Sequence, residues 1–179
     1  MLSKIQLLFE TANNKFLSKE SEAILSGVSE RNLCGSLMLY IREELNNSPY
    51  KEYYTDIEYN RKQDGKIKTI VQGEYEIIQI CCDLIIHSRG ENIKQDNLIA
   101  IEMKRSTHSQ AEKRKDKIRL KCLTRDTFDG IWSYDGKTFP EHVCRYVLGV
   151  YYEINVEHRK IEFQYMTKGK MFKQFSISF

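Results

Sequence analysis

The stretch Asn97-Leu98-Ile99-Ala100-Ile101-Glu102-Met103-Lys104 places a carboxylate and a lysine inside a run of mainly aliphatic residues. Alternate side chains of a β-strand point to opposite faces, so Glu102 and Lys104 share one face and Met103 lies on the other. An unpaired carboxylate among aliphatic side chains carries a large desolvation cost. The pattern therefore predicts a buried strand in which Glu102 has a charged or metal partner.

A second acidic residue, Asp83, lies in the middle of the apolar segment QICCDLIIHS, which predicts another buried strand. If the two strands pair, Asp83, Glu102 and Lys104 converge. Carboxylate oxygens are the ligands that Mg²⁺ or Mn²⁺ prefers, and the main-chain carbonyl of Met103 is available as a further ligand. We therefore expect a divalent-metal site between these strands.

Such a site suits phosphodiester hydrolysis, because a divalent ion neutralises developing charge and generates hydroxide at neutral pH. Lys104 would orient the metal-bound water and help to deprotonate it. The alternative is a buried ion pair between Lys104 and Asp83 or Glu102 that only holds two strands together. An acid-x-lysine triplet is common by chance, so its specificity comes from the preceding buried acid and from the helices on either side.

The elements before these strands follow from periodicity. Apolar residues at helical spacing predict a helix over 4–17, the serine-rich segment 18–29 predicts a break, and apolar residues four apart predict a stronger helix from Glu30 to Asn46. Strand-forming pieces at 54–59, 67–71 and 77–86, with turns at Gly65 and Gly73, predict a meander.

The elements after them complete the prediction. Ser109 can cap a helix over 110–124, and a turn region at Gly130 follows. Strands are expected at 146–154 and 160–166, with an edge strand at 172–179. This order of helices and strands predicts an α/β fold with a mixed central sheet flanked by helices.

Composition narrows the class of protein. Of the 179 residues, 41% are hydrophobic and 30% are charged, and no apolar run approaches the roughly 20 residues of a membrane span. The N-terminal segment lacks the unbroken apolar stretch of a secretory signal. We expect a single domain over 1–179, with residues 1–28 as an N-terminal helical extension, a cytoplasmic location and no membrane partner.

The five cysteines contain no CxxC pair, and His142 with Cys144 has no second pair at zinc-ligand spacing. Buried, reduced thiols are therefore expected.

The formal net charge is only +3, but basic residues concentrate between Lys104 and Arg125. Lys113, Lys117 and Lys121 recur every four residues, which predicts a basic stripe on the helix that could follow a nucleic-acid backbone. The alternative is a solvated helix whose lysines serve solubility.

Cys82-Asp83 and Glu102-Met103-Lys104 together resemble the signature of the PD-(D/E)xK nuclease superfamily, with Cys82 where the pattern usually has proline. The chain is similar to a group of small bacterial proteins of this superfamily. That closer similarity is carried by residues 56–61, 83–90, 97–104 and 120–124. The resemblance implies a restriction-endonuclease-like core, a preference for DNA, a role in defence against phage or foreign DNA, and a homodimer or a regulatory protein partner.

The resemblance also implies an acidic residue on the helix before the sheet, for which Glu30 is the candidate. Glu30 extends the apolar stripe of its helix, but a glutamate after Ser29 is also favoured by the helix dipole alone, and both interpretations stay open. Arg61 belongs to the resemblance, and His87 and Arg89 follow the strand of Asp83. We expect Arg61 to contact phosphate, although a cross-strand ion pair explains it equally well. We also expect one of His87 and Arg89 to reach the scissile phosphate, and the alternative for His87 is an ordinary polar residue at a strand end.

Two other classes of function compete with the nuclease. The first is a non-catalytic module that keeps the fold for binding nucleic acid or for protein assembly. The second is an enzyme in which Cys82 or Cys144 acts as nucleophile with His87 or His142. No local motif supports the second class.

Overall fold

A computed structural model describes residues 1–61, 67–72, 76–79, 81–128 and 132–179. The predicted turns at Gly65, Gly73 and Gly130 lie outside these residues. The described part of the chain contains three helices and eight strands. In chain order they are α1 (Leu2–Leu25), α2 (Glu30–Asn46), β1 (Tyr54–Ile57), β2 (Thr69–Gln72), β3 (Glu76–Gln79), β4 (Leu84–His87), β5 (Asn97–Arg105), α3 (Gln110–Leu123), β6 (Leu148–Asn155), β7 (Lys160–Thr167) and β8 (Lys170–Ser178).

The central sheet has six strands in the order β1-β4-β5-β6-β7-β8. Strands β5 and β6 are parallel, and the other neighbours are antiparallel. The prediction of a mixed α/β sheet flanked by helices is therefore confirmed, and β8 is the predicted edge strand. The predicted meander is wrong. Strand β1 pairs directly with β4, whereas β2 and β3 form a separate two-stranded sheet, because β4 is buried along its whole length and offers β1 a partner in the core.

Helices α1 and α2 cover one face of the central sheet. Their apolar stripes form one core with Ile101, Met103 and the inward residues of β6 and β7. Helix α1 runs through the break predicted at 18–29 and ends at Leu25. Ile24 lies seven residues after Leu17, and both are buried, so packing of the continued apolar stripe outweighs the serine content.

Helix α3 covers the opposite face. It begins at Ser109, whose side chain forms a capping box with Glu112, and it packs Leu120 and Leu123 against Ala100 of β5. Glu102 lies two residues after Ala100 and therefore faces α3. The sheet thus separates an apolar layer beneath α1 and α2 from a layer beneath α3 that contains charged residues.

The pairing of β4 with β5 brings the predicted acidic residues together. Leu84 lies opposite Ile101 in the antiparallel register, so Asp83 and Glu102 are adjacent. Asp83 itself comes immediately before β4, not in the middle of a longer strand, since β3 and β4 are separate elements.

The five cysteines are free, and all but the exposed Cys81 are buried as expected. None of the described helices is long and apolar enough to cross a membrane.

Candidate functional site

Asp83 occupies the start of β4 and reaches across to β5. Its Oδ2 accepts a hydrogen bond from the main-chain N–H of Met103 at 2.8 Å. Burial raises the pKa of Asp83, and the Met103 N–H and Lys104 partly oppose that rise. Asp83 is therefore fixed beside the Glu102-Met103-Lys104 segment, as the sequence predicts.

Glu102 is the most deeply placed acid of the site, with a solvent exposure of 0%. Its Oε1 accepts a hydrogen bond from Nη1 of Arg119 at 2.6 Å. Its Oε2 is buried without a hydrogen-bond partner among the described residues. Burial, followed by the repulsion of Asp83, raises the pKa of Glu102 to about 8. One carboxylate oxygen is thus paired and the other is left unsatisfied.

Asp116 of α3 joins this centre, although the motif did not predict it. It is buried, and its Oδ1 lies 3.3 Å from Nη1 of Arg119. A sequence signal for it exists, since Asp116 precedes Leu120 and Leu123 by four and seven positions and so extends the buried stripe of α3. An acid on a buried stripe requires a partner, which the fold provides in Arg119 and Lys104.

Lys104 lies among these carboxylates. Its Nζ is 3.5 Å from Oδ2 of Asp116 and 3.8 Å from Oε2 of Glu30. Burial opposes its charge, but the surrounding acids, led by Asp83, outweigh that effect and raise the pKa of Lys104. Lys104 is therefore protonated at neutral pH, which suits it to stabilise an anion and not to accept a proton from water.

Glu30 begins α2 directly after the N-cap Ser29. Its Oε1 accepts a hydrogen bond from the main-chain N–H of Arg105 at 2.7 Å and lies 3.1 Å from Nε2 of His108. The acid on the helix thus joins the start of α2 to the end of β5. Glu30 is compatible with both interpretations, an acid of the site and an acid favoured by the helix dipole, because the same carboxylate also approaches Lys104.

In the part of the chain that the structure describes, no three acidic, histidine or cysteine side chains converge as a ready-made metal site. Arg119 and Lys104 form ion pairs with the carboxylates of this centre. The donor set nevertheless fits a hard cation. Oε2 of Glu102 and Oδ2 of Asp116 are buried oxygens without a hydrogen bond among the described residues, and oxygen is the ligand that Mg²⁺ prefers.

The predicted phosphate contacts His87 and Arg89 lie at the other end of β4. About 13 Å separates Asp83 from His87 at the usual rise per residue of a strand. Nε2 of His87 is 2.9 Å from Oδ2 of Asp56, and Arg89 donates to both oxygens of the same carboxylate. The fold does not bring these residues to the acids. They line a separate cavity together with Arg61.

The basic stripe of α3 is uneven. Lys113 is buried and donates to Oε1 of Glu153 at 2.6 Å, so its charge is neutralised inside the protein. Nζ of Lys117 lies 4.4 Å from the centre of the Tyr151 ring. Lys121 is exposed. Of the three lysines of the stripe, Lys121 is therefore the most accessible to a phosphate backbone.

The alternative based on cysteine chemistry lacks support in the geometry. Cys82 and Cys144 are buried, and burial raises the pKa of both thiols, that of Cys144 to about 12. His87 is engaged by Asp56, and Nδ1 of His142 lies 2.9 Å from Oγ1 of Thr69. A nucleophilic cysteine requires an accessible thiolate beside a base.

Comparison with protein-family models gives no match, and searches of curated proteins and of solved structures give no significant match. The fold and the contacts of the site define the class: a mixed α/β protein with a charged, acid-rich centre at the junction of β4, β5, α2 and α3.

Proposed function

We propose that this protein is a metal-dependent nuclease that hydrolyses phosphodiester bonds. The observation that supports it best is the β4–β5 register, which sets Asp83 beside Glu102 and Lys104 and leaves one buried oxygen of Glu102 unpartnered. An unsatisfied buried polar atom costs about 1–3 kcal/mol, and a cation held by this oxygen would offset that cost.

Asp83, Glu102 and Asp116 would hold Mg²⁺ or Mn²⁺. Glu30 and the Met103 carbonyl are further ligand candidates from the sequence. When bound, the ion would neutralise charge on the phosphate and lower the pKa of a coordinated water.

The protein's own cations have separate roles in this proposal. Lys104, protonated beside Asp116 and Glu30, would stabilise charge on the scissile phosphate. Arg119 pairs with Glu102 and Asp116, so a metal held by these carboxylates would compete with its guanidinium and leave it available to the incoming phosphate. Lys117 and the exposed Lys121 would position the strand along α3.

The preferred substrate that we propose is DNA, and the role is defence against phage or foreign DNA. Both rest on the resemblance of the motifs at 83–90 and 97–104. We also propose that the protein acts in the cytoplasm and that a homodimer or a regulatory partner restrains it. Light scattering with and without DNA would test the homodimer.

The direct test is incubation with plasmid, single-stranded DNA and RNA in Mg²⁺, Mn²⁺ or chelator. The wild type should cut only with metal, and Lys104→Met should lose about 100-fold or more of that activity. Lys115→Met is the matched control, since Lys115 is exposed on the same helix. Equal cleavage by the wild type and Lys104→Met, or no metal-dependent cleavage at all, would overturn the proposal.

A second candidate, a non-catalytic binding or assembly module, is favoured by one observation. Arg119 and Lys104 pair with the acids inside the protein, as in an ion-pair network that only holds the fold together. A binding module of this kind would bind DNA equally well in Mg²⁺ and in chelator and would leave the DNA intact. It would also gain no thermal stability from Mg²⁺.

A further inference from the structure

A cavity of about 210 Å³ lies beyond the end of β4, away from the acidic centre. His87 and Arg89 border it from the sheet side, and Phe139 and Pro140 close it from the loop before β6. Arg61 and Lys68, from either side of the connection between β1 and β2, bring further positive charge to it. The space holds several water molecules, each of which occupies about 30 Å³ in the liquid.

Lys68 is the unusual residue of this cavity. It is only 4% exposed, and its ammonium has no hydrogen-bond partner among the described residues. Its nearest recorded contact is the face of Tyr59, with Nζ 4.9 Å from the ring centre. A buried ammonium without a hydrogen bond is costly for the folded protein. Such a residue persists where an anionic partner repays that cost.

The acidic residues near Lys68 are engaged elsewhere. Asp56 binds His87 and the guanidinium of Arg89. Asp96 accepts hydrogen bonds from the Ser88 hydroxyl and from the Gly90 N–H. Asp96 also lines the cavity, but neither carboxylate forms an ion pair or a hydrogen bond with the Lys68 ammonium among the described contacts.

A tight turn after β4 sets the position of Arg89. Arg89 has a φ of 54° and Gly90 a φ of 88°, and the N–H of Glu91 donates to the Ser88 carbonyl, as in a type I′ turn. This turn lets Nε and Nη2 of Arg89 bind both oxygens of Asp56 while the side chain also lines the cavity.

We propose that this cavity binds the phosphate group of a phosphomonoester, with the Lys68 ammonium as its central contact. Arg61 lies at the rim, where Asp56 holds the guanidinium of Arg89 in place, and the ring of Tyr59 provides a wall for the attached organic group. A phosphate monoester carries close to two negative charges at neutral pH and several strong acceptor oxygens, which suits a buried ammonium that lacks a hydrogen bond. Two sources share this chemistry: a free mononucleotide and the phosphorylated 5′ end of a strand. The site does not depend on the proposed nuclease activity.

The test is calorimetric titration of the full chain in chelator, so that the acidic centre does not contribute. The probes are inorganic phosphate, adenosine monophosphate, and a tetranucleotide with either a 5′-phosphate or a 5′-hydroxyl. The phosphorylated probes should bind, and Lys68→Met should weaken them about 10- to 100-fold, the usual effect of removing a charged hydrogen bond. Lys170→Met is the control because Lys170 is exposed on β8, far along the sheet.

The probes separate the two sources. Binding of the mononucleotide as tight as that of the 5′-phosphorylated strand identifies a small-molecule site, whereas preference for the strand over its 5′-hydroxyl form identifies a strand end. Lys68→Arg, which keeps the charge, should retain binding and guards against a folding defect in Lys68→Met. No phosphate-dependent heat with the wild type, or equal affinity in the wild type and a folded Lys68→Met protein, would overturn the proposal, whatever the nuclease assay shows.

Discussion

The two ends of β4 differ in whether their buried charges are paired. At the Asp83 end, the acids face Lys104 and Arg119, and most of their oxygens have a partner. At the His87 end, Lys68 is buried without a hydrogen bond among the described residues. Carboxylates that pair with Lys104 and Arg119 do not need a ligand for stability. A buried ammonium without a hydrogen bond lowers the stability of the folded protein unless a ligand binds to it. Variants that remove one partner should therefore act differently at the two ends.

The largest effect is expected from Glu102→Gln. If Glu102 holds metal, this variant should lose about 100- to 1,000-fold of the metal-dependent cleavage. Its free energy of unfolding in chelator at pH 7 should change by less than about 1 kcal/mol, since burial already favours the neutral form of Glu102. Urea unfolding and the plasmid assay measure the two quantities on the same preparation. A large loss of stability with unchanged cleavage would instead assign Glu102 to structure alone.

Arg119→Met removes the hydrogen bond to Glu102. The variant should therefore leave a buried charge without a partner, as at Lys68. Breaking a buried pair costs about 3–5 kcal/mol when the remaining charge cannot neutralise. Glu102 can neutralise by protonation. A raised pKa in the folded state means that stability falls as pH rises from the ordinary glutamate range through about 8.

The loss in Arg119→Met should accordingly be larger at pH 8.5 than at pH 6, as measured by urea unfolding in chelator. Saturating Mg²⁺ should stabilise the variant more than the wild type, because no guanidinium competes for the carboxylates. An equal response to Mg²⁺ in both proteins would contradict the competition between metal and Arg119.

The sequence predicts best those parts of the fold that carry their own local signals. Helix α2 begins and ends where expected because Ser29 caps it and the Asn47-Ser48-Pro49 segment ends it. The sequence does not predict the end of α1, because packing of Ile24 in the core is a non-local effect that outweighs the local serine content. The β1–β4 pairing was missed for the same kind of reason.

The same distinction applies to the site. Asp83, Glu102 and Lys104 could be predicted because each lies in or beside an apolar strand with a fixed period. The ion pairs to Asp116 and Arg119 join a helix to a strand, so no spacing within one element encodes them. Lys68 carries no sequence signal as a single lysine beside a polar segment, because residues that line its cavity, such as His87 and Pro140, lie far from it along the chain.

At the opposite end of β4, Lys68→Met should raise stability in the absence of ligand by about 1–3 kcal/mol. Burial lowers the pKa of Lys68 to about 8, so the folded protein binds fewer protons than the unfolded chain between about pH 8 and the ordinary lysine value. Wild-type stability therefore rises with pH across that interval. The advantage of Lys68→Met should be greatest below pH 8 and should shrink toward pH 10.5, as followed by urea unfolding. A destabilised Lys68→Met protein at pH 7 would show that the ammonium has a stabilising partner.

The smallest expected effect is on the salt dependence of DNA binding, where an exposed lysine of α3 and a paired lysine of the same helix should differ. Lys121 is exposed, whereas Lys113 is buried against Glu153. If α3 follows the DNA backbone, Lys121→Met should reduce the slope of log affinity against log salt by about 0.9 for a duplex. Lys113→Met should leave that slope unchanged and lower thermal stability instead, because it leaves the Glu153 carboxylate without its cation. Fluorescence anisotropy over a salt series measures the slope, with catalysis silenced by chelator. A slope that changes with Lys113→Met and not with Lys121→Met would place the DNA on a different face of the helix.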